Sequence, residues 1–209
     1  MVFAAAPSQN EFLATLGSLP DIAWDKVIAF HMDEYIGLPA DAPQGFGSFL
    51  RERLFDQVKP GTVHFLNGQA PDPEEECKRY AALLETHPVD IVCAGIGENG
   101  HLAFNDPPVA DFADPLQVKV VQLDETCRMQ QVHDGCFPTL DSVPTHALTM
   151  TIPALMAARW IYTVVPGPTK AQAIRDTLTG PIGTHCPATA LRQHPYSILY
   201  IDRDSASLL

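Results

Sequence analysis

Short apolar runs, each of strand length and most followed by a polar or glycine- and proline-containing loop, recur along the whole chain with segments of helical spacing between them. Residues 1–6, 26–30, 63–66, 89–94, 118–123, 147–151, 160–165 and 197–201 read as strands. Residues 46–55 and 73–86 carry helical spacing, the second with Cys77, Tyr80, Ala81 and Leu84 on one face and Glu74, Glu75 and Glu76 in its first turn. Ser8, three residues before Glu11, predicts a helix N-cap; further helices are expected from 124 onward, after Lys170 and over 187–194. Such alternation predicts an α/β fold: three layers, doubly wound and Rossmann-like, with a largely parallel sheet and helices on both faces. A chain of 209 residues fits one domain spanning residues 1–209, able to bury a core without disulfides or metal.

The richest loop, Gly95-Ile96-Gly97-Glu98-Asn99-Gly100-His101-Leu102-Ala103-Phe104-Asn105-Asp106-Pro107, leaves the apolar run 89–94. Ligands of open α/β sheets bind at the carboxyl ends of strands. Gly95, Gly97 and Gly100 allow positive φ or close approach of the backbone, and Asn99, His101 and Asp106 offer acid-base and hydrogen-bonding groups. A dinucleotide turn fits less well, because His101 and Asp106 would crowd a pyrophosphate. Asp33 and Glu34 follow the strand 26–30, but neighbouring strand residues face opposite ways, so at most one of them points at a given partner. Lys170 follows a strand through a Gly-Pro turn and is expected on the same rim.

Composition narrows the partners. A formal net charge of −12 disfavours nucleic acid and anionic membranes, so an anionic ligand needs a local cluster of donors. No apolar run approaches the roughly 20 residues of a membrane-spanning helix, and no signal-peptide pattern opens the chain, so a cytoplasmic protein is expected. Cys77, Cys93, Cys127, Cys136 and Cys186 show neither a Cys-x-x-Cys pair nor a Cys/His ligand spacing; reduced thiols and no metal site are the expectation.

With these residues laid out, the chain resembles the glucosamine-6-phosphate deaminase/isomerase family, a superfamily that also includes 6-phosphogluconolactonases. The resemblance rests on Phe30-His31-Met32-Asp33-Glu34-Tyr35-Ile36-Gly37-Leu38, the loop from Gly95 to Pro107, Val143-Pro144 with Ala147-Leu148-Thr149, Lys170-Ala171, and Pro187-Ala188-Thr189-Ala190-Leu191 with His194. Leu102-Ala103-Phe104-Asn105-Asp106-Pro107 sides with the deaminases over the lactonases. The resemblance implies cofactor-free conversion of glucosamine 6-phosphate, or a close amino-sugar phosphate, to fructose 6-phosphate and ammonia in amino-sugar catabolism. A 6-phosphogluconolactonase-like hydrolase, or a weakened sugar-phosphate-binding homologue, is the alternative. The implied partner is a small molecule, with self-association left open.

It also implies roles. His101 matches the ring-opening histidine and Asp33 the carboxylate that moves the proton, while Asp106 stands where the family usually has glutamate and Asn99 where it usually has aspartate. Glu98, beside Asn99, is the other acid that could supply the missing charge. Ser8, Gln9, Glu34, Gly95, Gly97, Gly100, His133 and Lys170 are the expected substrate or phosphate contacts: Lys170 matches the phosphate lysine, and His133 is the residue nearest to a phosphate arginine that has no clean counterpart. The first strand and helix of the family, which precede Met1, and the C-terminal extension of its allosterically controlled members are expected to be lacking.

Overall fold

The structure, a computed structural model, describes residues 1–209. β1 (Val2–Phe3) runs through a 3-10 turn, Pro7–Gln9, into α1 (Asn10–Ser18), and β2 (Ile28–His31) is followed at once by β3 (Asp33–Tyr35). A helical stretch over 46–58 joins α2 (Phe46–Leu50), a π-helical turn (Arg51–Phe55) and α3 (Asp56–Val58). Then come β4 (Thr62–His64), α4 (Pro73–Thr86), β5 (Ile91–Ala94), β6 (Val118–Gln122), α5 (Glu125–His133), β7 (His146–Met150), α6 (Ile152–Met156), β8 (Trp160–Val165), α7 (Ala171–Thr179) and β9 (Ser197–Ile201).

The main sheet has the order β4-β2-β1-β5-β8-β9, and every pairing in it is parallel. Its strands alternate between two cores, as a period of two requires. Val2, Phe30, Val92 and Ile161 pack with Tyr80 and Leu84 of α4 and Ile174 of α7, whereas Phe3, Ala29 and Cys93 pack with Leu13 of α1 and with Leu50 and Leu54. Helices thus cover both faces, as the alternation of elements predicts. α4 begins where its residues dictate: the Asp72 carboxylate accepts from the Glu74 and Glu75 N–H groups at 3.0 and 3.3 Å, and Pro73 occupies a position that has no partner for an N–H.

Three expectations need correction. The runs at 118–123 and 147–151 do form strands, but β6 and β7 lie outside the main sheet, in a separate antiparallel sheet of order β3-β7-β6. An apolar run specifies a buried strand and says little about its partner. Ser8 is not an N-cap either. Pro7, with its fixed φ, starts the helical turn and moves the cap to Ala6, which has no side-chain acceptor. The stretch 187–194 becomes a buried 3-10 segment, Pro187–Gln193, tied to the loop above the sheet by Ala188 N–H to the Gly100 carbonyl at 2.8 Å.

Strand order places the ligand site. The chain moves outward from β1 to β2 and β4 on one side and from β5 to β8 and β9 on the other, so the connections diverge between β1 and β5. A crevice opens above the carboxyl ends of strands at such a switch point. Met32 joins the two sheets there, donating its N–H to the Phe3 carbonyl at 3.3 Å and accepting the Met150 N–H at 2.7 Å. β3 is thereby swung over the crevice.

Candidate active site

The crevice is a cleft with about 490 Å³ of atom-free space, between residues 4–6 after β1 and Gly95–Gly97 after β5. Its polar lining comes from Ser8, Gln9, Asp33, His101, Gln130, Gln131 and Lys170. The glycines of the central loop serve packing as well as approach. A Cβ on Gly97 would collide with the His101 ring, one on Gly95 would press on the Gln9 amide, and Gly100, at φ +82°, lies against the Cys186 thiol. Ala103 adopts φ +51°, a conformation unusual outside glycine. Asn105 holds the loop in this shape by donating to the Leu102 and Met150 carbonyls, both at 2.8 Å.

His101 Nδ1 lies 2.8 Å from Asn99 Oδ1 and 2.9 Å from Asp106 Oδ1, and Asn99 Nδ2 donates to the same Asp106 oxygen at 2.9 Å. Both oxygens facing Nδ1 are acceptors, which assigns the Nδ1 proton and leaves Nε2 as the atom free to take or give a proton. The His101 side chain is 11% exposed, and the ring faces the cleft. Asp106 is fully buried. Burial alone would raise its pKa, but the His101 charge and hydrogen bond, the Asn99 amide and the neighbouring Cys127 thiol outweigh it and hold the carboxyl below its ordinary value. Asn99 is accommodated because one amide satisfies both neighbours. Glu98 does not supply a charge to His101; its carboxylate lies 3.9 Å from the His133 ring.

Asp33 and Glu34 divide as strand alternation requires. Asp33 lines the cleft, is buried, and keeps Oδ1 without a hydrogen-bond partner. Burial first, and the Glu34 charge second, push its carboxyl well above its ordinary pKa. Glu34 turns to the other face, where it accepts from the Tyr35, Phe46 and Gly47 N–H groups at 2.9, 3.1 and 2.9 Å and caps the start of α2. Its place outside the cleft corrects the expectation of a ligand contact.

Lys170 sits at the end of the 3-10 turn that enters α7, only 6% exposed, and forms no salt bridge within the chain. Burial lowers its pKa, opposed by the charges of Asp134 and Glu98. A buried cation without a counter-ion is suited to receive an anion. Gln9 stands opposite, its amide fixed by the Val164 carbonyl at 3.0 Å, with Ser8 beside it. Gly100 supports the loop from behind without lining the cleft, and His133 is exposed at the end of α5. Gln130 and Gln131, which sequence reasoning passes over, reach the cleft instead. Gln130 Oε1 accepts the Glu98 N–H at 2.8 Å. The available signal was their position three and four residues after the buried Cys127, on one face of a helix.

The chain is similar to known proteins over most of its length. The sequence pattern described as glucosamine-6-phosphate isomerases/6-phosphogluconolactonase matches residues 7–199. The chain is 39% identical over 189 residues to a glucosamine-6-phosphate deaminase of Listeria innocua serovar 6a, covering 90% of this chain and 79% of that protein. It is 39% identical over 183 residues to a glucosamine-6-phosphate deaminase of Bacillus cereus, covering 88% and 68%. Among solved structures, a monomeric glucosamine-6-phosphate deaminase superposes with a TM-score of 0.89 at 34% identity, over 100% of this chain and 87% of that one. The 6-phosphogluconolactonase of Thermotoga maritima, at 20% identity and a TM-score of 0.75 over 96% and 83% of the two chains, shares the fold. With a cleft at the sheet's switch point, a histidine-centred acid-base loop and these likenesses across nearly its whole length, the chain belongs to the family of glucosamine-6-phosphate isomerases and 6-phosphogluconolactonases.

Proposed function

We propose that the chain converts glucosamine 6-phosphate and water to fructose 6-phosphate and ammonia. The observation that carries this reading is the meeting, in one cleft, of an unpaired buried lysine, a carboxylate of raised pKa and an imidazole whose Nδ1 is held by two acceptors. Lys170, with the polar groups of Ser8 and Gln9, takes the phosphate. His101 Nε2 accepts the C1 hydroxyl proton and returns a proton to the ring oxygen, which opens the sugar; Asp106 stabilises the imidazolium formed in passing. Asp33 then removes the C2 proton and delivers it to C1, turning the aldose amine into a ketose imine. Water adds to that imine and ammonia leaves.

The elevated Asp33 pKa suits this work, because a carboxylate that binds its proton more tightly is a stronger base once ionised. Incubation with glucosamine 6-phosphate under a coupled ammonia assay, followed in deuterium oxide for exchange at C2, is the test. Ammonia release with C2 exchange is expected. Turnover of 6-phosphogluconolactone without either signal would make the chain a lactone hydrolase.

The proposal covers a small-molecule partner. No helix of the structure is long and apolar enough to cross a membrane.

A further inference from the structure

Behind His101 lies a group of side chains that ring opening and proton transfer leave unexplained. Cys127, in the first turn of α5 and 1% exposed, faces Asp106, and one donor atom each from His101, Asp106 and Cys127 lies within 4.8 Å of the other two. Asp106 is fully buried, and its Oδ2 has no hydrogen-bond partner. An acceptor desolvated in this way costs free energy until something positive reaches it. The Cys127 thiol lies beside this carboxylate and helps hold its pKa down, yet Oδ2 is left without a hydrogen-bond partner, so the carboxylate has acceptor capacity to spare next to the imidazole and the thiol.

The chemistry of the donors selects the guest. One imidazole nitrogen, one carboxylate oxygen and one sulfur form a set suited to zinc and its neighbours, whereas magnesium and calcium ask for oxygen alone. Three protein ligands leave a tetrahedral ion one open position, and of the three side chains His101 is the one that also lines the cleft. Sequence spacing hides such a site, because Cys127 comes from a different element and only the packing of α5 against the loop joins the three.

We propose that His101, Asp106 and Cys127 bind a thiophilic divalent cation, with Zn²⁺ as the probe, and that the bound ion inhibits the enzyme by immobilising His101. Binding breaks the Cys127 S–H bond and the His101 Nδ1–H bond and forms S–Zn and N–Zn bonds; the thiol proton goes to solvent and the imidazole proton moves to Nε2 through solvent, without any change of oxidation state. The inhibition half rests on the proposed deaminase activity; the binding half does not.

The test uses the reduced, chelator-stripped full chain. Co²⁺ is titrated first, and a near-ultraviolet thiolate-to-cobalt band saturating at one ion per chain is expected. X-ray absorption at the zinc edge should then show one sulfur among nitrogen and oxygen ligands. Cys127→Ser should lose the cobalt band and weaken Zn²⁺ binding by more than the roughly 10–100-fold that loss of an outer partner costs. Zn²⁺ should suppress ammonia release by the parent, a chelator should restore it, and the inhibiting concentration for Cys127→Ser, measured against that variant's own metal-free rate, should rise by the same factor. No thiolate band in the folded parent, zero or two sulfurs at the zinc edge, or a band or inhibition unchanged in Cys127→Ser would each overturn the site. Because the spectra need no substrate, a parent that releases no ammonia refutes the deaminase reading while the metal site is still decided.

Discussion

Asn99→Asp perturbs the His101 cluster at the point where the geometry makes a quantitative demand. In the parent, the Asn99 amide accepts at the His101 ring, 2.8 Å away, and donates to Asp106 Oδ1 at 2.9 Å. A carboxylate at position 99 keeps the first contact and turns the second into two oxygens at nearly the same separation. Two unit charges that far apart interact by about 6 kcal/mol at an effective dielectric constant of about 20. With His101 neutral, all of this is repulsion. With His101 protonated, its attraction to the new anion has a similar size and cancels the repulsion, so the variant is driven to hold one more proton, on the ring or between the carboxylates.

The full Coulomb energy corresponds to about four pH units. Relaxation and solvent reduce it, and a shift of about one to three units is the usual result of one close charge. The acid limb of the pH–rate profile for ammonia release, below which a protonated His101 can no longer accept the C1 hydroxyl proton, should therefore move upward by that amount. Stability should follow the same proton: raised proton affinity in the folded state means that variant and parent agree at low pH, and that the variant loses stability as pH rises through the folded-state titration. Rates from pH 5 to 10 and urea midpoints at three pH values check both. Superimposable profiles, or an equal loss of stability at every pH, would refute the cluster's electrostatics as argued.

The remaining outcomes concern other groups of the fold. Asp33→Asn should cut ammonia release and C2 deuterium exchange by about a hundred- to ten-thousandfold, with sugar-phosphate binding nearly intact by calorimetry; exchange at the parent rate would remove Asp33 from the reaction. Lys170→Met should weaken substrate binding by about 10–150-fold, the worth of one charged hydrogen bond, while the melting temperature holds or rises because an unpaired buried cation is gone; a falling melting temperature with an unchanged KM would mean that Lys170 serves the fold instead. His31 is fully buried, its Nε2 accepts the Leu66 N–H at 2.9 Å, and burial depresses its pKa to about 4 from 6.5. Its contribution is complete above pH 6.5 and is lost as pH falls toward 4, by about 3 kcal/mol in total. His31→Gln should flatten the dependence of the urea midpoint on pH across that window, and an unchanged slope would count against the assignment.

How far the sequence reveals this structure depends on whether the deciding interaction is local. β8 and β9 occupy residues 160–165 and 197–201, as their apolar runs predict, because strand composition is local and marks the half-exposed edge strand β9 as well as β8. β6 and β7 are just as apolar yet belong to a second sheet, and that choice is made by Met32, whose backbone serves both sheets. The same residue decides which of two adjacent acids enters the cleft. Alternation says that only one can; the crossing at Met32 makes it Asp33 and sends Glu34 to cap α2. On α5 the inward face carries Cys127, Gln130 and Gln131, so hydrophobic periodicity finds no face there, and His133, two residues later, comes out in solvent. A polar helix face turned inward is legible only once the cleft it lines is known.

The way β3 is built also connects the fold to the rate. Asp33 is held over the switch point by antiparallel pairing with Thr149, while its neighbour is consumed by three backbone N–H groups. Burial raises the Glu34 pKa above its ordinary value and those three bonds oppose the rise; to the extent that they keep Glu34 charged, its charge beside a desolvated Asp33 raises the pKa of the latter further. Capping of α2 and basicity of Asp33 are therefore coupled. Glu34→Gln, which keeps one acceptor oxygen for the Tyr35 and Phe46 N–H groups, gives up the acceptor of the Gly47 N–H and removes the charge, should lower the acid limb of the pH–rate profile by bringing Asp33 back toward its ordinary value. The shift should be smaller than that of Asn99→Asp, since burial, the larger cause, is untouched. A profile that does not move on the acid side would show that Asp33 is tuned by burial alone.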